Sequence, residues 1–311
     1  MIRRIIAALA AFVALAATAA VAWFLWPSIG APLSHLPVPA AGLTLLDEQS
    51  ERKDGRVLRR LVLDTGAPGE LRIAVSLPDP LPPTPLPVMF VMGGLRTGQN
   101  SIRHVEQPGQ NALVGFDYPI DRRAGRGLRL LPRLPQLRAQ VFATPGQAVA
   151  ALDWVRAQPW ADRRRITPIG VSLGALFLPA VLRLDQSRGA APSLAVIAYG
   201  GADIAVMAPR LLRGVNAAVR PLLIRLGAAS LRPVEPAEHL PHIRGEFLLL
   251  ASTDLDAMVP EAAARLAERL TPEPKTIVHL PGGHVGGETE VTRRLVVALR
   301  AWLEQRGAAS P

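Results

Sequence analysis

Three kinds of hydrophobic pattern follow one another along the chain. The first is an uncharged, almost wholly apolar run from Ile5 to Trp26, ended by Pro27. The second is a series of short runs bounded by turn residues. "RVLRRLVLD" (56–64) and "ELRIAVSLP" (70–78) alternate or sit between turn signals, as half-exposed antiparallel strands do. "PVMFVMGG" (87–94) and "NALVGFDYP" (111–119) follow, then "RITPIGVS" (165–172), "SLAVIAYGG" (193–201), "GEFLLLAS" (245–252) and "KTIVHLPGG" (275–283). The later runs are continuously apolar, the pattern of strands covered on both faces. The third pattern has helical spacing. Thr144 and Pro145 read as N-cap and first-turn proline of a helix whose Ala148, Leu152 and Val155 share a face. Residues 260–270 make a second helix, and Val291, Leu295, Leu299 and Trp302 line a third. Strands alternating with helices predict an α/β protein: a mostly parallel eight-stranded sheet with helices on both faces.

The opening run predicts a transmembrane helix. From Ile5 to Trp26 it is about 33 Å long as a helix, against a hydrocarbon core of about 30 Å. Arg3 and Arg4 precede it, Trp23 and Trp26 sit where interfacial aromatics belong, and no charge follows until Asp47. The positive end then stays inside and the rest is exported. Residues 1–26 are accordingly read as a membrane anchor. The alternative is a signal sequence cleaved near Ala20-Val21-Ala22, leaving a secreted protein, but "WFLW" prolongs the apolar run past that point. Residues 27–45, rich in Pro, Ala and Gly, read as a linker, and 46–311 as one domain.

Composition narrows the chemistry. With 311 residues, 49% hydrophobic and 19% charged, the chain can bury a large core. It has no cysteine, which excludes disulfides, thiolate metal sites and a cysteine nucleophile. The formal net charge of +10 is carried almost entirely by arginine, spread along the chain. Aromatic content is only 5% and no nucleic-acid motif occurs, so no nucleic-acid partner is expected.

One polar residue interrupts the apolar run at 165–179. "RITPIGVSLGALFLP" sets Ser172 between Gly170 and Gly174, after a strand and before an apolar helix. A serine on such a turn is strained and projects its hydroxyl above the sheet. The glycines leave room for the crossing strand and helix. The helix N-terminus favours negative charge developing nearby.

Three further segments stand in a telling order. "EFLLLASTDLDAMVP" follows the next-to-last strand and carries Asp254 and Asp256. "HLPGGHVGG" follows the last strand and carries His284 among glycines. "VMFVMGGLRTG" closes the third strand with Gly93, Gly94 and Leu95. Together with the Ser172 turn, this order resembles the α/β-hydrolase family, with "TPGQAVAALDWVRAQPWADRRRITPIGVSLG" most similar to esterases of the dienelactone-hydrolase and serine-aminopeptidase type.

The resemblance covers about residues 56–306. It implies an α/β-hydrolase fold with Ser172 as nucleophile, His284 as base and Asp256 as the acid, four residues before Pro260; Asp254 is the alternative acid. It further implies an oxyanion hole from the N–H of Leu173 with Gly94 or Leu95, no cofactor and no metal, and a small-molecule ester as substrate. The chain departs from the family pattern at Met92, where a histidine often stands, and at Ser252, where glycine is common. The Arg-rich apolar segment within 203–232 is a candidate lid, or an ordinary helix on the sheet. His279 is expected to pack in its strand. His239 and His242 are expected to be structural, since no third ligand has metal spacing. Two other functions stay open: an acyltransferase or peptidase using the same triad, and a non-catalytic binding protein that kept the fold. Membrane lipid is the expected partner of the N-terminal helix.

Overall fold

The computed structural model of the chain describes residues 1–39, 42–66, 69–94, 96–120, 132–190, 192–254, 260–286 and 289–310. Among these, nine strands form one sheet: β1 (Thr44–Lys53), β2 (Arg56–Asp64), β3 (Leu71–Pro78), β4 (Leu86–Met92), β5 (Ala112–Asp117), β6 (Ala161–Val171), β7 (Leu194–Ala198), β8 (Glu246–Ser252) and β9 (Lys275–Leu280). Their order is β1-β2-β3-β5-β4-β6-β7-β8-β9. β1, β2, β3 and β5 pair antiparallel in succession. From β5 to β9 every pairing is parallel. The strand order reverses at β4, so β4 and β6 flank the switch point where open α/β sheets leave a crevice at their carboxyl ends.

Eight strands were predicted, and β1 is the ninth. All ten of its residues are exposed, so hydrophobic patterning leaves no trace of it. Backbone pairing with β2 holds it, reinforced by Arg59 donating twice to the Glu48 carboxylate (2.7 and 3.2 Å).

The helix expected to start at Thr144 begins ten residues earlier. α2 runs Leu134–Arg156, with Pro135 in its first turn and Pro145 inside it. The Thr144 hydroxyl donates to the Gln140 carbonyl (3.0 Å) and caps nothing. Residues from Phe142 to Val149 are all buried, so tertiary packing carries the helix through a proline that otherwise reads as a start.

α2 and α3 (Leu173–Ser187) cover one face of the sheet, over a core that includes Phe90, Phe116, Tyr118 and Phe177. The other face is covered by a 3-10 segment, Gly98–His104, and by α8 (Thr289–Glu304), packed on Met89, Val91, Ile169 and Leu248. His279, expected to pack in its strand, is exposed on β9, the sheet's edge.

α1 (Ile2–Leu25) has no buried residue, and among the described residues it is the one helix long and apolar enough to cross a membrane. Its C-terminal end is tied to the domain. The Arg138 guanidinium stacks 3.2 Å from the Trp23 ring centre and donates to the Trp23 carbonyl. Residues 27–38, expected to belong to a linker, are seated on the domain. Leu36 joins the core, and the Pro37 carbonyl occupies the space a side chain on Gly146 would need. Arg232 donates to the carbonyls of Ser28 (2.6 Å) and Gly30 (3.0 Å), pairing backbone groups that this segment has no regular element to satisfy.

The segment 203–232 holds α4 (Ile204–Leu211) and α5 (Arg220–Leu231). α5 lies against α1 and the turn at Trp26–Ser28, and α4 against α7 (Pro260–Arg269). The buried Glu235 carboxylate accepts from the N–H groups of Asp203 (2.8 Å), Ile204 (2.7 Å) and Ala237 (3.1 Å), capping α4 and the short α6 (Pro236–His239); burial pushes its pKa up.

His239 in α6 is fully buried, with Nε2 2.9 Å from the Pro233 carbonyl. Burial pushes its pKa down to about 4, so it is neutral in the fold at pH 7. The unfolded chain, with a histidine pKa near 6.5, binds more protons between those two values. Stability therefore falls by about 3 kcal/mol as pH drops from 6.5 to 4. Denaturant midpoints measured across that window are expected to show this slope. His239→Gln, which keeps a donor for Pro233, is expected to flatten it.

Candidate active site

Ser172 sits between β6 and α3, at the switch point. Its backbone is in the positive-φ region (φ 56°, ψ −111°), as the sharp strand-to-helix turn requires. Its N–H donates to the Ala198 carbonyl (3.0 Å) and its carbonyl accepts from Ala175 (3.0 Å), so the strained residue is held from both sides. The two flanking glycines have the sterical role read from the sequence. A Cβ on Gly170 would lie 2.7 Å from the Gly174 carbonyl oxygen, and one on Gly174 only 1.9 Å from the Met92 carbonyl oxygen. Both obstacles are backbone and cannot swing away. Gly174→Ala is expected to force α3 off β4, destabilising the fold by about 3 kcal/mol. Gly227→Ala, in α5 with open space around the new methyl, is expected to stabilise it by about 0.5–1 kcal/mol. Thermal melts of the two variants are the check.

The structure brings Ser172 and His284 together. Ser172 Oγ lies 2.7 Å from His284 Nε2, although the two are 112 positions apart in sequence. Both are half-buried. The Tyr199 ring meets the imidazole edge-on at a centroid distance of 5.7 Å and an interplanar angle of 85°. A Cβ on Gly94 would fall 3.9 Å from Ser172 Oγ, so the β4 exit faces the hydroxyl directly. Leu173 opens α3, and its N–H, like any at a helix start, has no partner within the helix. Leu95, the other oxyanion candidate, lies outside the described residues.

Of the two acid candidates, Asp256 also lies outside the described residues. Asp254 is exposed, and its carboxylate accepts from the Thr253 hydroxyl (3.2 Å) rather than from His284. The loop after β8 is fastened to the histidine loop by Ser252, the residue that departs from the family's glycine. Its hydroxyl accepts from the Asp254 N–H (2.9 Å) and donates to the Gly282 carbonyl.

Two contributors were not legible in the sequence. Tyr118, at the end of β5, donates its buried hydroxyl to the Gly93 carbonyl. A trans peptide sends the Gly94 N–H the opposite way, so Tyr118 fixes the direction of that N–H. His104, given no role by the sequence, stands on the rim of a cavity of about 560 Å³ that also includes Gly94, Ser172 and His284. Among the described residues, none of the candidate lid 203–232 lines this cavity. His35 and His239 bond to backbone carbonyls, and no group of three histidine or carboxylate side chains gathers at metal-binding distance among the described residues.

No protein-family model and no curated protein matches the sequence. Solved structures do match the fold. An acetyl xylan esterase from Paenibacillus sp. aligns with a TM-score of 0.59 at 18% identity, covering 86% of this chain and 90% of its own. Acetyl xylan esterase 1 from Thermoanaerobacterium sp. aligns with a TM-score of 0.57 at 14% identity, covering 86% and 91%. A dienelactone hydrolase from Anabaena variabilis aligns with a TM-score of 0.53 at 15% identity, covering 83% and 98%. With its parallel sheet reversing at β4, its serine on the turn after β6 and these neighbours, the chain has the α/β-hydrolase fold.

Proposed function

We propose that this protein is a serine hydrolase of carboxylic esters, held at a membrane by α1 with the folded domain on the exported side. The observation that carries the reading is the 2.7 Å contact of Ser172 Oγ with His284 Nε2 on a strained turn. It is supported by the structural neighbours, among them two acetyl xylan esterases.

His284 Nε2 takes the hydroxyl proton as Ser172 Oγ bonds to the ester carbonyl carbon. Asp256 holds the imidazole tautomer and stabilises its charged form. The N–H groups of Leu173 and of Gly94 or Leu95 receive the oxyanion, each donor contributing on the order of 10²–10³ in rate. The carbon–oxygen bond to the alcohol then breaks, and His284 protonates the departing oxygen. Water attacks the acyl-enzyme while giving a proton to His284. The Ser172 ester bond breaks, the acid leaves and Ser172 regains its proton.

The test is covalent labelling. A fluorophosphonate probe is expected to modify the full chain, with the adduct mapped by mass spectrometry to Ser172. Labelling that persists undiminished in Ser172→Ala would overturn the assignment. For the membrane part, alkaline carbonate is expected to leave the full chain in the membrane pellet; extraction into the supernatant would remove the anchor.

A further inference from the structure

The two faces of the sheet are covered unequally. α2 and α3, of 23 and 15 residues, pack one face, while the other has α8 and a 3-10 segment of only seven residues. A short 3-10 turn cannot fill the width that a full helix would, and the cavity beside Ser172 is the space it leaves.

The cavity runs away from the site, not merely above it. β4 and β6 both point toward Ser172, so Met89 and Ile169 lie deeper in the sheet than Val91 and Val171. All four line the cavity. From Gly94 down to Met89 the strand spans about 16 Å. Opposite, Thr292, Leu295 and Leu299 descend α8 over about 10 Å. The 104–108 stretch closes the third side, tied to α8 by Arg300, which donates to the Gln107 carbonyl. Below the mouth the walls are aliphatic. The polar lining residues stand near the mouth or along the side formed by 104–108 and Arg300, and among the described residues no carboxylate lines the space.

We propose that this trench is an acyl-chain site and that the substrates are esters of straight medium-chain fatty acids, of about eight to ten carbons. The proposal rests on the serine-hydrolase reading above. The trench begins beside Ser172, runs about 16 Å along β4, and its volume of about 560 Å³ lies within the usual range for small-molecule sites. It suits the acyl side because the acyl group stays bonded to Ser172 while the alcohol departs and water arrives. Those exchanges need the open mouth by His284 and Gly286, not the apolar depth. Burying one methylene contributes about a three- to fourfold gain in binding.

The experiment uses the full chain in lipid nanodiscs. One series of p-nitrophenyl esters varies the acyl group from acetate to palmitate; a second series of acetates varies the alcohol. kcat/KM is expected to rise about threefold per acyl methylene to about ten carbons and then level. It is expected to stay nearly flat across the alcohols. Leu299→Trp, deep in the trench, is expected to lower the decanoate-to-acetate ratio at least about tenfold, and Leu295→Trp, nearer the mouth, to lower it further. Fluorophosphonates with P-linked alkyl chains supply a readout without turnover and without variants: labelling of Ser172 is expected to quicken with chain length. Labelling and hydrolysis that are indifferent to acyl length, or selectivity that follows the alcohol, overturn the trench proposal alone. Absence of labelling and hydrolysis with every probe overturns the serine-hydrolase reading and the trench with it.

Discussion

Ser172→Ala, His284→Ala and the double variant are expected to be equally inactive, each losing on the order of 10⁴–10⁶ in kcat for a p-nitrophenyl ester. The reason is that the two groups act as one device. In the proposed mechanism the imidazole, 2.7 Å away, accepts the hydroxyl proton; a serine without it is a weak nucleophile, and an imidazole without the serine has nothing to activate. Once one is gone, removing the other costs little more. Asp256→Asn is expected to lower kcat by on the order of 10⁴, because an amide cannot stabilise the charged imidazole. Asp254→Asn is expected to change it less than about threefold, since that carboxylate is engaged with Thr253. Steady-state rates for the five variants decide the matter. Multiplicative losses in the double variant, or a His284→Ala enzyme with a tenth of normal activity, would show that Ser172 and His284 do not cooperate.

The largest expected effect on stability comes from a carboxylate far from the site. The Asp185 side chain is 1% exposed and takes two hydrogen bonds from Arg156, at 2.6 and 2.9 Å, joining α3 to α2. Removing one member of a buried pair leaves the other charge desolvated, which costs about 3–5 kcal/mol. Asp153 remains bonded to Arg156 at 2.8 Å, so the lower end is expected for Asp185→Ala. At about 2–4 °C per kcal/mol for a domain of this size, the thermal midpoint drops by roughly 6–12 °C. Arg156→Met with Asp185→Leu is expected to recover most of that loss, because two apolar groups of similar volume need no partner. A single variant that melts as the wild type does would mean the pair contributes nothing.

The chain's own pattern was sufficient for a good deal. Alternating or continuous apolar runs between turn signals marked β2 to β9 within a few residues, because a strand must be apolar on whichever face it buries. The glycines at 170 and 174 declared a crowded turn, and the order serine, aspartates, histidine matched a known arrangement. The uncharged run from Ile5 to Trp26 announced a helix that buries nothing in the domain. What failed to show did so for definite reasons. β1 is held by backbone hydrogen bonds, which carry no side-chain signature. α2 passes through Pro145 because packing on both sides outweighs a local start signal. Residues 27–38 look like a linker but are gripped by Arg232 at the end of α5, a partner remote in sequence.

At the site the division is equally physical. The order of the serine, the aspartates and the histidine resembles that of the α/β-hydrolase family, and that resemblance is what singled out Ser172 and His284 in the sequence. Only the folded sheet could bring them to 2.7 Å across 112 positions, turn Tyr118 onto Gly93, and leave the trench between α8 and a seven-residue 3-10 segment. A cavity is the absence of atoms between elements distant in the chain, and a linear string of residues has no term for it.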